Sequence, residues 1–177
     1  MAFKTLPPRA LLRELLDYDA ETGEFTWRHR PREMFRNEQS FRRWNNRYPG
    51  KKVGCLRQDG YLVVHLGAKS YTLHCFAWLY AHGEPVPPAI DHRDRDKTNN
   101  RVSNLRAATQ SQNSANRGGR NAIGIKGIRA YKGSFRAHIR YNGAGIHLGT
   151  FATPEEAAKA YQDAAVRLHG EFARWEN

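Results

Sequence analysis

Between Ile90 and Arg117 the chain reads IDHRDRDKTNNRVSNLRAATQSQNSANR. Asp91 and His92 set a carboxylate beside an imidazole, and side-chain amides follow at Asn104 and Asn113. These residue types suit phosphodiester hydrolysis. A hard divalent ion takes oxygen ligands, and an Asp carboxylate with an Asn carbonyl supplies two. Such an ion stabilises the charge that builds on the phosphorus centre and on the leaving oxygen. The attacking water must lose a proton, and a histidine, which titrates near neutral pH, can take it. A ring in that role needs its other nitrogen held, and a side-chain or backbone carbonyl of the adjacent loop can do so. Asn104 can tie that loop together by hydrogen-bonding backbone groups. Asp94 and Asp96 read as turn residues, with either available as an alternative ligand. Asn99, Asn100 and Asn116 read as loop and helix-end residues. His74, upstream, either packs structurally or lines the site.

The elements that must position these residues follow from period and punctuation. Ala89-Ile90 is a short apolar lead-in that delivers Asp91-His92 at a strand end. Gln110–Arg117 reads as one polar helix, so a strand end, a loop and a helix can bring Asp91, His92 and Asn113 together. Upstream, Pro7-Pro8 precede an amphipathic helix carrying Leu11, Leu12, Leu15 and Leu16, and Thr22-Gly23 turns into a strand over 24–28. Residues 61–66 and 70–73 flank a Gly67-Ala68-Lys69 turn. Residues 74–82 are apolar at helical spacing, closed by Gly83 and followed by Pro85, Pro87 and Pro88. Gly118-Gly119 marks a linker. Beyond it, 124–131, 134–141 and 145–151 are strand-like runs split by glycine turns. Thr153-Pro154-Glu155-Glu156 then opens a last helix, with Thr153 as cap and Pro154 at its first position. In the middle run Phe135, Ala137 and Ile139 alternate with Arg136, His138 and Arg140. One face is therefore apolar, for Ala157, Ala158, Tyr161, Ala165 and Leu168 of the helix to cover, and the other is basic and open. In the third run Ile146 and Leu148 face in and His147 faces out.

Composition narrows the partner. The 177 residues hold 29 Lys or Arg against 17 Asp or Glu, a formal charge of +12. A basic chain with aromatic residues enough for a core points first to nucleic acid. The excess is spread over both parts, +8 in residues 1–119 and +4 in residues 120–177. Its densest stretch runs from Arg28 to Lys52, with Trp27, Phe35, Phe41, Trp44 and Tyr48 interleaved. That stretch reads either as a solvated loop whose aromatics pack on the core or as a phosphate-tracking surface holding Arg42, Arg43, Lys51 and Lys52. No apolar run approaches the length of a membrane span, so no membrane partner is expected. Two lone cysteines exclude a disulfide framework or a four-Cys zinc site. With no signal-peptide pattern at the start, a reducing, cytoplasmic protein is expected.

Asp91-His92, then NNRVSNLR, then QNSANR resemble the HNH nuclease family, in the subgroup of phage homing endonucleases. GYLVVHLGAKSYTLHCFAWLYAHG and YDAETGEFTW are similar to the segments that precede the motif there, so the resemblance covers most of residues 9–117. It implies a ββα-metal fold around one divalent ion, Mg or Mn, with no zinc cluster. It also implies His92 as general base, Asp91 and Asn113 as metal ligands, and Asn104 as the structural middle Asn. Many members have His where this chain has Asn113. Residues 124–176, with GIKGIR, SFRAHIR, HLGTF and TPEEAAKAYQDAA, resemble the ethylene-response-factor (Apetala-two type) DNA-binding domain. That resemblance implies a three-stranded antiparallel sheet on one helix, with Lys126, Arg129, Arg136, His138, Arg140 and His147 toward DNA. Its usual Trp before LGTF is His147 here.

The expected protein is thus α+β. It has an N-terminal region (1–52), a nuclease module (53–119) and a DNA-reading module (120–177), and it acts on double-stranded DNA as a monomer or homodimer. The rival expectations are a DNA-binding regulator with an inactive nuclease module, and a restriction or packaging nuclease sharing the chemistry.

Overall fold

A computed structural model describes residues 5–116 and 124–173. The chain divides into two compact units, Met1–Arg106 and Ala107–Asn177.

In the first unit α1 (Arg9–Leu15) runs directly into β1 (Leu16–Asp19), which pairs antiparallel with β2 (Glu24–Trp27). The Asp19 carboxylate accepts the backbone N–H groups of Glu21 (2.9 Å) and Thr22 (3.3 Å), shaping the turn between them. The chain then leaves β2 at Arg28 and returns beside it. Trp27 N–H donates to Lys51 C=O at 3.0 Å, and Val53 N–H to Phe25 C=O at 2.8 Å. The excursion carries α2 (Glu38–Arg47), capped by the Asn37 side chain accepting from Ser40 N–H. This helix is absent from both sequence-based readings of the basic stretch, although Asn37-Glu38 followed by Phe41, Trp44 and Tyr48 is a helix-start and one-face pattern. The excursion is held by aromatic and amide contacts. The Arg30 guanidinium lies 3.7 Å from the Trp44 ring centroid, and the Asn45 amide bonds Arg30 N–H and C=O, each at 2.9 Å.

β3 (Cys55–Leu56), β4 (Leu62–Leu66) and β5 (Lys69–Thr72) form an antiparallel sheet, and α3 (Leu73–His82) follows without a break. One core unites these parts: Leu12, Leu16 and Phe25 pack with Leu73, Phe76 and Leu79, all fully buried. Each such side chain contributes about 1.5–3 kcal/mol by leaving water. Residues 1–52 therefore do not stand apart, in contrast to the expected boundary at 52/53. β6 (Ala89–His92) and β7 (Leu105–Ala108) make a two-stranded sheet. The division between the units falls within β7, inside the stretch expected to be one module, and the expected boundary at 119/120 lies outside the described residues.

In the second unit α4 (Gln110–Ala115) begins with a capping box between Thr109 and Gln112. β8 (Ile128–Tyr131), β9 (Ser134–Tyr141) and β10 (Ala144–Phe151) form an antiparallel sheet with β9 in the middle. α5 (Pro154–His169) starts with a second capping box, Thr153 with Glu156, and Pro154 in its first turn. Its Ala157, Tyr161, Ala164 and Ala165 meet Ile128, Ala137 and Ile139 of the sheet. Gly127 makes that approach possible. At φ +74°, a Cβ there would sit 2.2 Å from the Tyr161 ring and 2.5 Å from His138 C=O. A bulge between His147 and Gly149 interrupts β10. Ile146, expected to face inward, pairs with the buried Ile139 but stays 37% exposed because β10 is an edge strand.

Candidate active site

β6 ends in Asp91 and His92, both buried. Across the sheet, Arg106 of β7 points Nε and Nη2 at Asp91 Oδ2, each at 2.8 Å, in a pair with both side chains buried. Two donors on one oxygen fix the carboxylate in place. His92 is held from the loop: its Nε2 lies 3.2 Å from Asn100 Oδ1. Asn100 is itself fully buried, and its Nδ2 has no hydrogen-bond partner. With Oδ1 as acceptor, the ring carries its proton on Nε2 and its lone pair on Nδ1. Arg106 and Asn100 are the two residues that sequence reasoning passed over. Arg106 stands in the NLR motif and Asn100 in the NN pair, but nothing in residue type alone separates them from surface neighbours.

Asn104 knits the loop between β6 and β7. Its Nδ2 donates to Asp94 Oδ1 (2.8 Å) and to Asn99 C=O (2.9 Å), and its Oδ1 accepts from Asp94 N–H at 3.1 Å. Arg93 N–H to Asn104 C=O, 2.9 Å, closes the base of the loop. Asp94 also accepts from Asn99 Nδ2 at 2.6 Å, and Asp96 from Thr98 N–H and Oγ1 at 2.9 and 2.6 Å. Asp94 and Asp96 thus serve as turn-forming acceptors.

Two further rings adjoin His92. His74, at the start of α3, lies 5.2 Å from it centroid to centroid and nearly perpendicular. Tyr61 lies 5.0 Å from His74 and 6.0 Å from His92. Lys97 stands over Tyr61 and donates to Asp59 C=O at 2.7 Å. Burial, with smaller contributions from the His92 and Arg57 charges, pushes His74 down to about 3. Its Nδ1 is buried without a hydrogen-bond partner. Burial also lowers His92, opposed by the Asn100 bond and by Asp94, Asp91 and Asp96. A lowered His92 is neutral, the form that accepts a proton.

The donor chemistry at the end of β6 is one carboxylate with amides nearby. Among the described residues no group of three His, Cys, Asp or Glu converges as a closed cage. Carboxylate and amide oxygens are the donor types that a hard divalent ion takes. Asn113 lies on α4 in the second unit, half-buried.

The second unit presents its own charged face. By register Arg129 opposes Arg136, His138 opposes His147, and Arg140 opposes Gly145. The two imidazoles are 4.7 Å apart, and the Arg136 guanidinium stacks 3.2 Å over Tyr131. Partial burial and then the charges of His147, Arg129 and Arg136 lower His138. Like charges set directly opposite destabilise a sheet, and Arg129 against Arg136 is such a pair. Lys126 does not join the row as expected. It lies ahead of β8, and its ammonium donates to Ala115 C=O at the end of α4, where the partial charge is negative. In the first unit Arg42, Arg43, Lys51 and Lys52 are all exposed; Arg42 pairs with Glu38 at 2.8 Å and Lys52 with Glu24 at 2.5 Å. Such surface pairs are weak and do not commit these cations.

Residues 71–115 match the family model of the HNH endonucleases. The matched segment contains Asp91, His92, Asn100, Asn104, Arg106 and Asn113. Among curated proteins, an uncharacterized HNH endonuclease of Acanthamoeba polyphaga mimivirus is 36% identical over 121 residues, covering 67% of this chain. The chain spans 63% of that relative's length. No solved structure matches. No described helix is long and apolar enough to cross a membrane.

The buried rings of the HNH segment make stability pH-dependent. His74 is neutral in the folded chain down to about 3 but protonates near 6.5 once unfolded. Its contribution is therefore complete above pH 6.5 and is lost as pH falls toward 3. The lowered His92 acts in the same direction. The loss follows the extra proton that the unfolded chain binds inside that window. Urea midpoints at pH 7 and pH 5 should fall more steeply for the native chain than for His74→Gln; parallel titrations would show that His74 is not buried neutral.

Proposed function

We propose that this chain is a metal-dependent DNA endonuclease of the HNH type, with His92 as general base. The observation that carries the reading is the hydrogen bond from His92 Nε2 to Asn100, which turns a lone pair on Nδ1 to catalytic use beside a fixed carboxylate. In the proposed step a water oxygen forms a bond to phosphorus, the bond to the departing sugar oxygen breaks, and the water proton passes to His92 Nδ1. Asp91 would be the charged ligand of the ion, and Asn113 is carried as a ligand by the sequence resemblance alone. The ion, Mg or Mn, would supply charge stabilisation on the phosphate and leaving oxygens. Asn104 keeps the loop in shape and touches no reacting group. A phage homing role rests on the sequence resemblance, and a cytoplasmic setting on the two lone cysteines.

A second reading has one observation in its favour. Arg106 already neutralises Asp91, which weakens a carboxylate as a metal ligand; a DNA-binding protein with a silent nuclease module would tolerate that. One experiment separates the readings. Cleavage of plasmid DNA with Mg or Mn should fall by about 100- to 10,000-fold in His92→Ala, while duplex binding measured by gel shift stays near that of the native chain. A native chain that binds but never cuts, or a variant that cuts as well as the native chain, removes His92 from this role.

The sheet face of the second unit is the proposed duplex reader, as the ethylene-response-factor resemblance implies. Arg129, Arg136, His138, Arg140 and His147 share one open face, and an anionic partner would relieve their mutual repulsion. Arg129→Ala and Arg140→Ala should each weaken binding, and each lost phosphate contact should flatten the slope of log affinity against log salt by about 0.9. A base-reading Arg would also lose roughly 1–3 kcal/mol of discrimination at one position. Unchanged affinity and slope in both variants, on target and scrambled duplex, would assign the face to another partner.

A further inference from the structure

The β1–β2 hairpin lies outside the segment matched by the HNH model, yet it meets the loop that carries Asn100 at two points. Tyr18 Oη donates to Asn100 C=O at 2.7 Å. Gly23, at φ +75°, lies so close that a Cβ would sit 2.4 Å from Arg101 N and 2.6 Å from the Asn100 carbonyl carbon. Tyr18 is itself fixed, stacked on Phe25 at 4.5 Å and tilted against Tyr80 at 5.5 Å. Burial, then the Asp19 charge, pushes its phenol up to about 12, so it remains a donor at working pH.

We propose that this hairpin is a positioning element of the active site. Tyr18 and Gly23 fix the Asn100–Arg101 backbone, and Asn100 Oδ1 in turn fixes the His92 ring with its proton on Nε2. The inference rests on the reading of His92 as base. Neither Tyr18 nor Gly23 touches a reacting atom. Their effect passes through one buried amide, whose 3.2 Å bond to the ring leaves little slack. A shift of about 1 Å in such a group is enough to cost on the order of 100-fold in rate. Gly23 leaves no room for a side chain and the Tyr18 hydroxyl holds the Asn100 carbonyl, so the loop cannot slide along the hairpin without losing both contacts.

The test uses the full chain with 15N-labelled histidine. Long-range proton–nitrogen spectra of His92 are recorded without DNA or metal for the native chain, Tyr18→Phe, Asn100→Asp and Asn100→Leu. Steady-state cleavage of a duplex with Mg is measured alongside. The native chain should show one neutral tautomer, protonated on Nε2. Asn100→Asp keeps an acceptor and should keep that tautomer, whereas Asn100→Leu should lose it. Tyr18→Phe removes one hydroxyl. It should lower kcat by about tenfold with KM unchanged, the scale of one lost hydrogen bond, and move the His92 nitrogen shifts toward averaged values. A native His92 protonated on Nδ1 overturns the proposal. So does a Tyr18→Phe chain with unchanged His92 shifts, whatever its kcat. Because the spectra need neither DNA nor metal, the positioning role can fail while the cleavage reading stands, and the reverse.

Discussion

An imidazole that is to take a proton from water must have its other nitrogen committed, and in this chain the bond from His92 to Asn100 meets that requirement. The surrounding polar contacts serve its geometry. Asn104 shapes the loop that delivers Asn100, Arg93 N–H closes that loop against Asn104, and Arg106 locks the neighbouring carboxylate across β6 and β7. Remove the loop's amide network and Asn100 has no fixed place. Remove Asn100 and the His92 ring loses the bond at Nε2.

This polar centre is expensive. Burying a charged pair loses hydration that mutual attraction need not restore, and a hydrophobic pair of similar size often serves stability as well or better. His74 Nδ1 and Asn100 Nδ2 are buried without partners as well, and each such group costs about 1–3 kcal/mol. The hydrophobic cluster built on Leu12, Leu16, Phe25, Phe76 and Leu79 supplies the stability that lets these groups remain. A sequence that keeps unsatisfied polar atoms beside a buried carboxylate and imidazole is departing from stability at the place where chemistry is expected.

Much of this was readable from residue types because the relevant signals are local. Thr153 and Pro154 announce a helix start, strict alternation over 134–141 sets one basic and one apolar face, and Asp91-His92 at the end of an apolar lead-in marks a strand terminus. What was not readable depends on contacts between distant positions. Asn100 and Asn99 are identical in type, and only the fold turns one to His92 and the other to Asp94. Arg106 becomes special because β6 and β7 pair. Lys126 sits by sequence among sheet residues, but the nearest carbonyl belongs to α4. The helix over 38–47 was obscured by its own composition: its aromatic residues at one-face spacing are embedded among arginines, and none of them is buried.

Hydrolysis of DNA at this site is the central question. The most direct measurement is incubation of the purified full chain with supercoiled plasmid across a Mg titration, with an EDTA control, read on a gel and mapped by run-off sequencing. The account predicts nicked or linear product that appears with Mg, vanishes with EDTA and has defined ends. Plasmid that is bound by the chain but remains supercoiled at every Mg and Mn concentration would contradict it.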